Sequence, residues 1–380
     1  MAQGSGLRHA LETTASGRPV LVMRPDPDPG RGSVEMLATL AGARARGAAA
    51  CFVPPPGEAG ELVALATSRD VPLVGAGGWL RARWTLADAA QRAGVRWRDM
   101  ASSGLQEMYR ELRRQAGNER LPAEFRRRLR ESAHRAYDRS VASAPAEVPY
   151  PRRLLRDASA FALPPAVLTA ARDEAVALGY DAGQPTVLLE GGLRPDLVAA
   201  VGRLLGARGY RIVELSSPSL RLMLFLLCAS RFAICVSRDV QQLAYLTNTP
   251  SLAVHATDVF AAYPVRADGL FLLRTPIDLE TGQALPLADL LRARAYEQAR
   301  QIGYREHAIG ELTAAVEEML AGVEHGWGES EGQARFRARA VQAGEALAPL
   351  VPAVAAWGPD DGFLGDGRLA RVQAEAFREP

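Results

Sequence analysis

The fold is indicated by residues 186–254, TVLLEGGLRPDLVAAVGRLLGARGYRIVELSSPSLRLMLFLLCASRFAICVSRDVQQLAYLTNTPSLAV. Four apolar runs in this stretch each end in a polar turn, and segments with helical periodicity separate them. These runs are TVLLE at 186–190, YRIVEL at 210–215, FAICV at 232–236 and SLAV at 251–254. Strands that alternate with helices of this length are typical of right-handed βαβ units. The stretch therefore predicts a parallel sheet in a Rossmann-like unit.

An earlier part of the chain has the same alternation. Residues 19–24 (PVLVMR) and 49–53 are predicted strands, with a predicted helix over 33–46 between them. Residues 141–165 are rich in proline and have no clear period, which indicates a linker or crossover. The fold class predicted is α/β, with two Rossmann-like domains facing across a cleft and a C-terminal helical tail. The predicted boundaries are 1–145 for the acceptor-side domain, 146–165 for the linker, 166–330 for the second domain, and 331–380 for a tail that packs back on the first domain.

Composition excludes several classes of chemistry. The 45 basic residues of the 380-residue chain are all arginine, so Schiff-base, PLP and P-loop lysine chemistry are excluded. The formal net charge of +2 gives no reason to expect nucleic-acid binding. Three widely spaced cysteines form neither a zinc pattern nor a disulfide framework, and the longest apolar stretch, near 222–230, is too short to span a membrane. We expect a cytoplasmic protein without a metal site.

Ligands of doubly wound sheets bind beyond the carboxyl ends of the strands, so the turns after the four runs are the candidate binding site. Serine and arginine beside a helix N-terminus can hold a diphosphate. The alternative for each residue is structural, because serine and aspartate are common helix N-caps and glycine is common in turns. The binding candidates are Gly191, Gly192, Arg194, Ser216, Ser217, Ser219, Ser237, Arg238, Asp239, Gln241, Gln242, Thr257, Asp258 and Tyr263.

Three residues are candidates for catalysis. Asp26 and Asp28 follow the first predicted strand and could act as a base, although a rigid solvated turn is the favoured interpretation of PDPD. His255 follows a predicted strand in the second half, where it could bind phosphate or sugar, or fill a gap in the core. The other histidines are expected at the surface: His9, His134, His307 and His325.

Residues 231–264, RFAICVSRDVQQLAYLTNTPSLAVHATDVFAAYP, resemble the nucleotide-sugar half of GT-B glycosyltransferases. The chain is similar to a group of uncharacterised bacterial proteins of that superfamily over about residues 165–370, including WGPDDGFLGDGRL near the end. The resemblance implies that the C-terminal half binds a nucleotide diphosphate sugar and that the N-terminal half binds the acceptor. It also implies a hexosyl or related transfer that needs neither a metal ion nor a cofactor.

The same resemblance implies roles for individual residues. Ser237 and the amides of Arg238 and Asp239 would face the phosphates, and 216–219 would border the nucleoside. His255, with Thr257 and Asp258, would line the donor sugar. Relatives usually have glycine after the serine, whereas this chain has Arg238 and Asp239.

Two alternatives stay open at this stage. One is a non-catalytic GT-B homologue that binds or activates another protein. The other is an epimerase or hydrolase of nucleotide sugars, for which Glu190 and Asp258 are the available carboxylates. The expected partners are a nucleotide sugar donor and a small-molecule or glycan acceptor, and the sequence allows a homo-oligomer without indicating one.

Overall fold

A computed structural model describes residues 20–23, 36, 49–52, 61, 165–216, 219–297, 301–351, 354 and 364–377. The chain divides into two units, one of Met1–Pro27 with Thr39–Val148 and one of Asp28–Ala38 with Pro149–Pro380. In the first unit, β1 (Val20–Met23) and β2 (Ala49–Phe52) form a parallel pair, which confirms both predicted strands. The predicted cleft between two domains stays a prediction.

The second unit follows the predicted alternation of strands and helices. Its elements, in chain order, are α1 (Pro165–Ala177), β3 (Thr186–Glu190), α2 (Pro195–Ala207), β4 (Arg211–Leu215), α3 (Leu220–Ala229), β5 (Phe232–Cys235), α4 (Arg238–Leu246), β6 (Ser251–Ala256), α5 (Val259–Ala262), β7 (Gly269–Leu273), β8 (Thr275–Asp278), a 3-10 helix (Leu287–Leu291), α6 (Arg294–Glu297), β9 (Ile302–Arg305), α7 (Ile309–His325), α8 (Glu331–Leu347), β10 (Arg368–Leu369) and α9 (Arg371–Ala376).

Six of these strands form one parallel sheet in the order β10-β7-β6-β5-β3-β4. The strand order reverses between β3 and β5, because the chain passes from β3 to β4 on one side and continues from β5 on the other. In open α/β sheets such a switch point opens a crevice at the carboxyl ends of the two strands. The fold thus places the loops after β3 and β5 beside each other.

The sheet is covered on both faces, which explains why its strands are continuous apolar runs rather than alternating ones. All residues of β5 and β7 are buried. One core cluster joins Val187 and Ile234 of the sheet to Leu197 of α2 and Met319 of α7. Among the described helices, none has the length and apolar character needed to cross a bilayer.

The described part of the C-terminal tail belongs to the second unit, and the predicted packing of the tail on the first domain stays a prediction. β10 pairs with β7, and Phe336 of α8 and Phe377 pack in one core cluster with Phe271. The rings of Phe336 and Phe377 meet edge to face at 5.1 Å. The apolar face of α8 covers a sheet surface that would otherwise be exposed, so burial of apolar area explains this placement.

The periodicity of residues 287–302 predicts a single helix, and this prediction is wrong for the residues that the structure describes there. The structure has the 3-10 helix and α6 there, and β9 then pairs antiparallel with β8. At Gly303 a Cβ atom would lie 2.6 Å from Leu279 Cδ2 and 3.0 Å from Ile277 Cγ1, so the two strands approach more closely than a side chain permits. Tertiary packing therefore overrides local helical periodicity here.

Candidate functional site

The switch-point loop is held by a carboxylate from the neighbouring strand. Glu190 ends β3, and its Oε2 accepts hydrogen bonds from the backbone N–H groups of Val236 (2.7 Å) and Ser237 (2.8 Å). The Ser237 hydroxyl accepts from the Val240 N–H at 3.3 Å and so caps α4. Because a hydroxyl that accepts can still donate, Ser237 remains able to donate to a ligand. The two amides bound to Glu190 are already used by the protein.

The glycines after β3 have a structural reason. A Cβ atom on Gly191 would overlap the Ser216 hydroxyl, and Gly192 has a φ of +114°. Arg194 is exposed and forms a bidentate ion pair with Asp196. Its Nε and Nη2 donate to Asp196 Oδ1 and Oδ2 at 3.0 and 2.7 Å. These positions keep the loops after β3 and β4 in close contact.

His255 occupies an unusual position at the carboxyl end of β6. The register passes from Ala253 opposite Phe271 to Ala256 opposite Leu273, so β6 has one extra residue. His255 lies in this bulge with a φ of +65°, a left-handed conformation that costs about 1–3 kcal/mol in a residue other than glycine. Such bulges re-aim side chains and are common next to active sites.

Side chains from α7, from α9 and from the segment before α7 hold this bulge in place. The His255 N–H donates to His307 Nε2 at 3.3 Å, and the two rings stack at 5.6 Å with a 23° interplanar angle. Because Nε2 accepts, the proton of a neutral His307 lies on Nδ1, which faces Glu311 Oε2 at 3.3 Å. Glu311 Oε1 accepts from Gln373 Nε2, and the Gln373 amide also bonds the N–H (2.9 Å) and the carbonyl (2.7 Å) of Leu273.

His307 is 1% exposed, so the prediction that it lies at the surface was wrong. The segment 304–307 reads YREH and suggested a polar surface, but the imidazole turns inward beneath the end of β6. His325 is largely exposed, as predicted. His9 and His134 lie outside the described residues.

Three buried polar atoms near His255 have no hydrogen-bond partner in the structure: His255 Nε2, Arg274 Nε and Glu306 Oε2. The Arg274 N–H donates to the Ala256 carbonyl at 2.7 Å, which places Arg274 beside the bulge. Glu306 directly precedes His307, and its Oε2 lies 3.6 Å from Arg194 Nε. Buried polar groups are normally paired, so three such atoms in one place indicate a site with unused hydrogen-bonding capacity.

Burial lowers the pKa of His255, and electrostatic interactions with His307 and Arg274 lower it further, whereas Glu306 acts to raise it. The imidazole of His255 is therefore neutral near pH 7. The pKa of Glu311 is also lowered: burial acts to raise it, but hydrogen bonds from His307 and Gln373 prevail. The neutral His255 ring thus stacks on His307, which Glu311 holds in place.

The carboxylate of Asp258 is engaged by the protein. Its Oδ1 accepts from the Phe260 N–H at 2.9 Å and from the Tyr296 hydroxyl at 3.3 Å. Burial and the nearby Asp258 raise the pKa of Tyr296. Thr257 is exposed, and its carbonyl accepts from the Tyr304 hydroxyl at 3.4 Å. Thr257 and Asp258 follow His255 closely in the chain, and their predicted contact with a donor sugar stays a prediction.

Other predicted binding residues lie deeper. Gln241, Gln242 and Tyr263 are all buried, and Gln241 Nε2 donates to the Ala262 carbonyl at 3.2 Å. The Tyr263 ring packs on Phe271 at 4.8 Å in the core beneath the loops. These three side chains are placed to support the site from below.

Several other predicted binding residues lie at the surface. Arg238 and Asp239 are exposed on the first turn of α4, and Ser216 is exposed after β4. The Ser219 hydroxyl caps α3 by accepting from the Leu222 N–H at 3.3 Å. Asp26, Asp28 and Ser217 lie outside the described residues, so their roles stay predictions.

The sequence did not single out Arg274, Glu306 or His307 for the site. Arg274 directly follows β7, so the rule of strand carboxyl ends could have found it. Glu306 and His307 come from a segment before α7 and carried no such signal. Within the described ranges, no group of three or more histidine, cysteine, aspartate or glutamate side chains is arranged to hold a metal ion.

Comparison with known proteins gives little further guidance. No protein-family model matches the sequence, and no curated protein matches it. The crystal structure of the glycosyl transferase family 9 protein from Veillonella parvula DSM 2008 aligns with 80% of this chain and 97% of that chain, at 12% identity and a TM-score of 0.40. A similarity this low carries no weight for fold or activity.

Proposed function

We propose that this protein is a glycosyltransferase that moves a sugar from a nucleotide diphosphate sugar to a small-molecule or glycan acceptor. The observation that carries the proposal is the left-handed His255 at the carboxyl end of β6, surrounded by buried polar atoms without hydrogen-bond partners. Strained backbone and unused polar groups cost stability, and they cluster at sites where ligands bind. The resemblance of residues 231–264 to the nucleotide-sugar half of GT-B enzymes supports the choice of ligand.

The diphosphate would lie at the start of α4. The helix N-terminus carries a partial positive charge, the Ser237 hydroxyl can donate, and the exposed Arg238 can add a full positive charge. Because Glu190 uses the amides of Val236 and Ser237, the phosphates would depend on the next amides of the helix and on arginine. Glu190 would order this loop rather than contact the donor.

His255 would act on the sugar side of the donor. A neutral imidazole can accept a proton from an acceptor hydroxyl or hydrogen-bond the donor directly. Asp26 and Asp28 remain alternative bases. In either role, His255 needs a fixed ring position, which the His307 contact and the stacked rings would supply.

A thermal-shift panel of nucleoside diphosphates and their sugar conjugates tests the proposal. A ligand at 100 times its dissociation constant adds about 2.7 kcal/mol of stability, which is readily detected. We expect one nucleotide family to stabilise the wild type and Arg238→Ala to weaken that effect. Arg335→Ala, which removes an exposed arginine from α8, is the matched control and should leave the effect unchanged.

If no nucleotide stabilises the protein, the transferase proposal fails. A stable co-purifying protein would then favour the non-catalytic partner function that the sequence also allows.

A further inference from the structure

Contacts of neighbouring residues bring together the three buried atoms without hydrogen-bond partners, at the carboxyl ends of β6 and β7. Arg274 bonds the Ala256 carbonyl through its backbone and the Tyr304 carbonyl through Nη2, at 2.7 and 3.2 Å. Glu306 lies between Tyr304 and His307, and His307 accepts the His255 N–H. Three chain segments, the ends of β6 and β7 and the residues after β9, therefore converge on the same place.

The chemistry of these atoms selects a type of ligand. An ionised Glu306 accepts hydrogen bonds and cannot donate one, whereas Arg274 Nε donates and cannot accept. His255 Nε2 can do either, according to its tautomer. A ligand that satisfies all three atoms must both donate and accept at neighbouring positions.

A phosphate does not meet this requirement. Its ionised oxygens accept but do not donate, and they would be repelled by the Glu306 carboxylate. A sugar hydroxyl donates one hydrogen bond and accepts others, so two adjacent hydroxyls match a carboxylate beside a guanidinium.

We propose that Glu306 and Arg274 bind a pair of hydroxyls on the donor's sugar, with His255 contacting the same sugar. This inference rests on the proposed function and adds the residues that recognise the sugar. It separates two parts of the donor: the sugar lies at the ends of β6 and β7, and the diphosphate lies at the start of α4. Arg194 Nε lies 3.6 Å from Glu306 Oε2, so a second arginine faces the same carboxylate.

The test compares the affinity of a nucleoside diphosphate with that of its sugar conjugate. Calorimetric titrations of the full chain use UDP, ADP and GDP, each against its glucose conjugate, for the wild type, Glu306→Gln and Glu306→Ala. In the wild type the sugar should tighten binding at least about 10-fold. Loss of a hydrogen bond to a charged group should weaken conjugate binding about 10- to 100-fold in Glu306→Ala and less in the isosteric Glu306→Gln. Binding of the diphosphate alone should change less than about 2-fold.

The control is Glu317→Ala, which removes an exposed carboxylate from α7 and should alter neither affinity. Unchanged thermal unfolding of Glu306→Gln shows that the fold is intact. If the diphosphate binds but the sugar increment is absent, or survives in both Glu306 variants, the sugar subsite is overturned while the proposed function stands. If no diphosphate binds the wild type, both are overturned.

Discussion

The carboxyl ends of the strands in the second unit's sheet form two contrasting regions. The first edge is at the ends of β3 and β5, and the second edge is at the ends of β6 and β7. At the ends of β3 and β5, Glu190 bonds two backbone amides, Ser237 caps α4, and Gly191 lets the loops touch. At the ends of β6 and β7, the backbone bulges into a left-handed residue, and polar atoms of His255 and Arg274 are buried without hydrogen-bond partners. The loop at the first edge is held by hydrogen bonds within the protein, whereas the second edge keeps a donor and an acceptor unused.

The contrast shows where a ligand contributes most. A self-satisfied loop gains little from new hydrogen bonds, whereas an edge with unused donors and acceptors gains from each one. The fold rule alone directs attention to the switch point between β3 and β5. The side-chain hydrogen bonds instead indicate the carboxyl ends of β6 and β7, two strands along the sheet. The N-terminus of α4, at the switch point, would then bind the charged part of the ligand. Four experiments can break or sharpen this comparison.

The largest expected effect comes from opening the satisfied edge. Glu190→Ala leaves the Val236 and Ser237 amides without their carboxylate, and we expect a loss of about 2–3 kcal/mol in the free energy of unfolding. Glu190→Gln keeps an acceptor and should lose about 1 kcal/mol. Urea unfolding measures both, with the exposed Glu317→Ala as control, expected within about 0.5 kcal/mol of the wild type. A near-neutral Glu190→Ala would show that the loop does not depend on this carboxylate.

The support beneath the second edge is the next target. Gln373→Ala removes the bonds to both backbone groups of Leu273 and the bond to Glu311, and we expect a loss of about 2 kcal/mol in unfolding free energy. Glu311 holds His307 and would lose its hydrogen bond from Gln373 in this variant. Donor binding should therefore weaken as well. The exposed Gln342→Ala on α8 is the control. Equal unfolding curves for the two variants would contradict the role given to α9.

A smaller effect is expected from pH. The folded-state pKa of His255 is lowered below its ordinary value of 6.5. The unfolded chain therefore takes up a proton more readily than the folded protein as pH falls through 6.5, and stability decreases there. Glu311, whose pKa is lowered from 4.5, adds its own loss only at more acidic pH. Urea unfolding at pH 7.5 and 5.5 should show a smaller drop for His255→Asn than for the wild type, and an identical drop would contradict a buried neutral His255.

Particular elements show how far sequence reasoning reached. The apolar runs at 186–190 and 232–236 predicted β3 and β5 within one residue, because buried strands need continuous apolar sequence. His255 was predicted to follow a strand that ends at 254, whereas it lies in a bulge within β6. The sheet order, the β8–β9 pair and the inward turn of His307 did not follow. These features depend on contacts between residues far apart in the chain, such as Val187 with Phe232, Thr275 with Arg305 and His255 with His307.

The roles of individual residues were harder to foresee than their positions. Ser237 and Ser219 are N-caps, and the spacing that suggested phosphate contacts is equally that of a cap. Glu190 was considered only as a catalytic carboxylate, yet it bonds the neighbouring loop. A residue's pattern indicates what it can bond, and only the fold decides what lies within reach.

The central claim is that the protein tolerates strain at His255 because the site needs that side chain. His255→Gly tests it most directly, since glycine adopts a left-handed backbone without a steric penalty. We predict an unfolding free energy equal to the wild type or higher by up to about 1 kcal/mol, together with at least about 10-fold weaker binding of the stabilising nucleotide sugar. Asn248→Gly is the control, because Asn248 also has a left-handed φ (+55°) but lies outside the site, and its donor binding should be unchanged. A His255→Gly protein that is less stable by 2 kcal/mol, or that binds the donor as tightly as the wild type, would contradict the account.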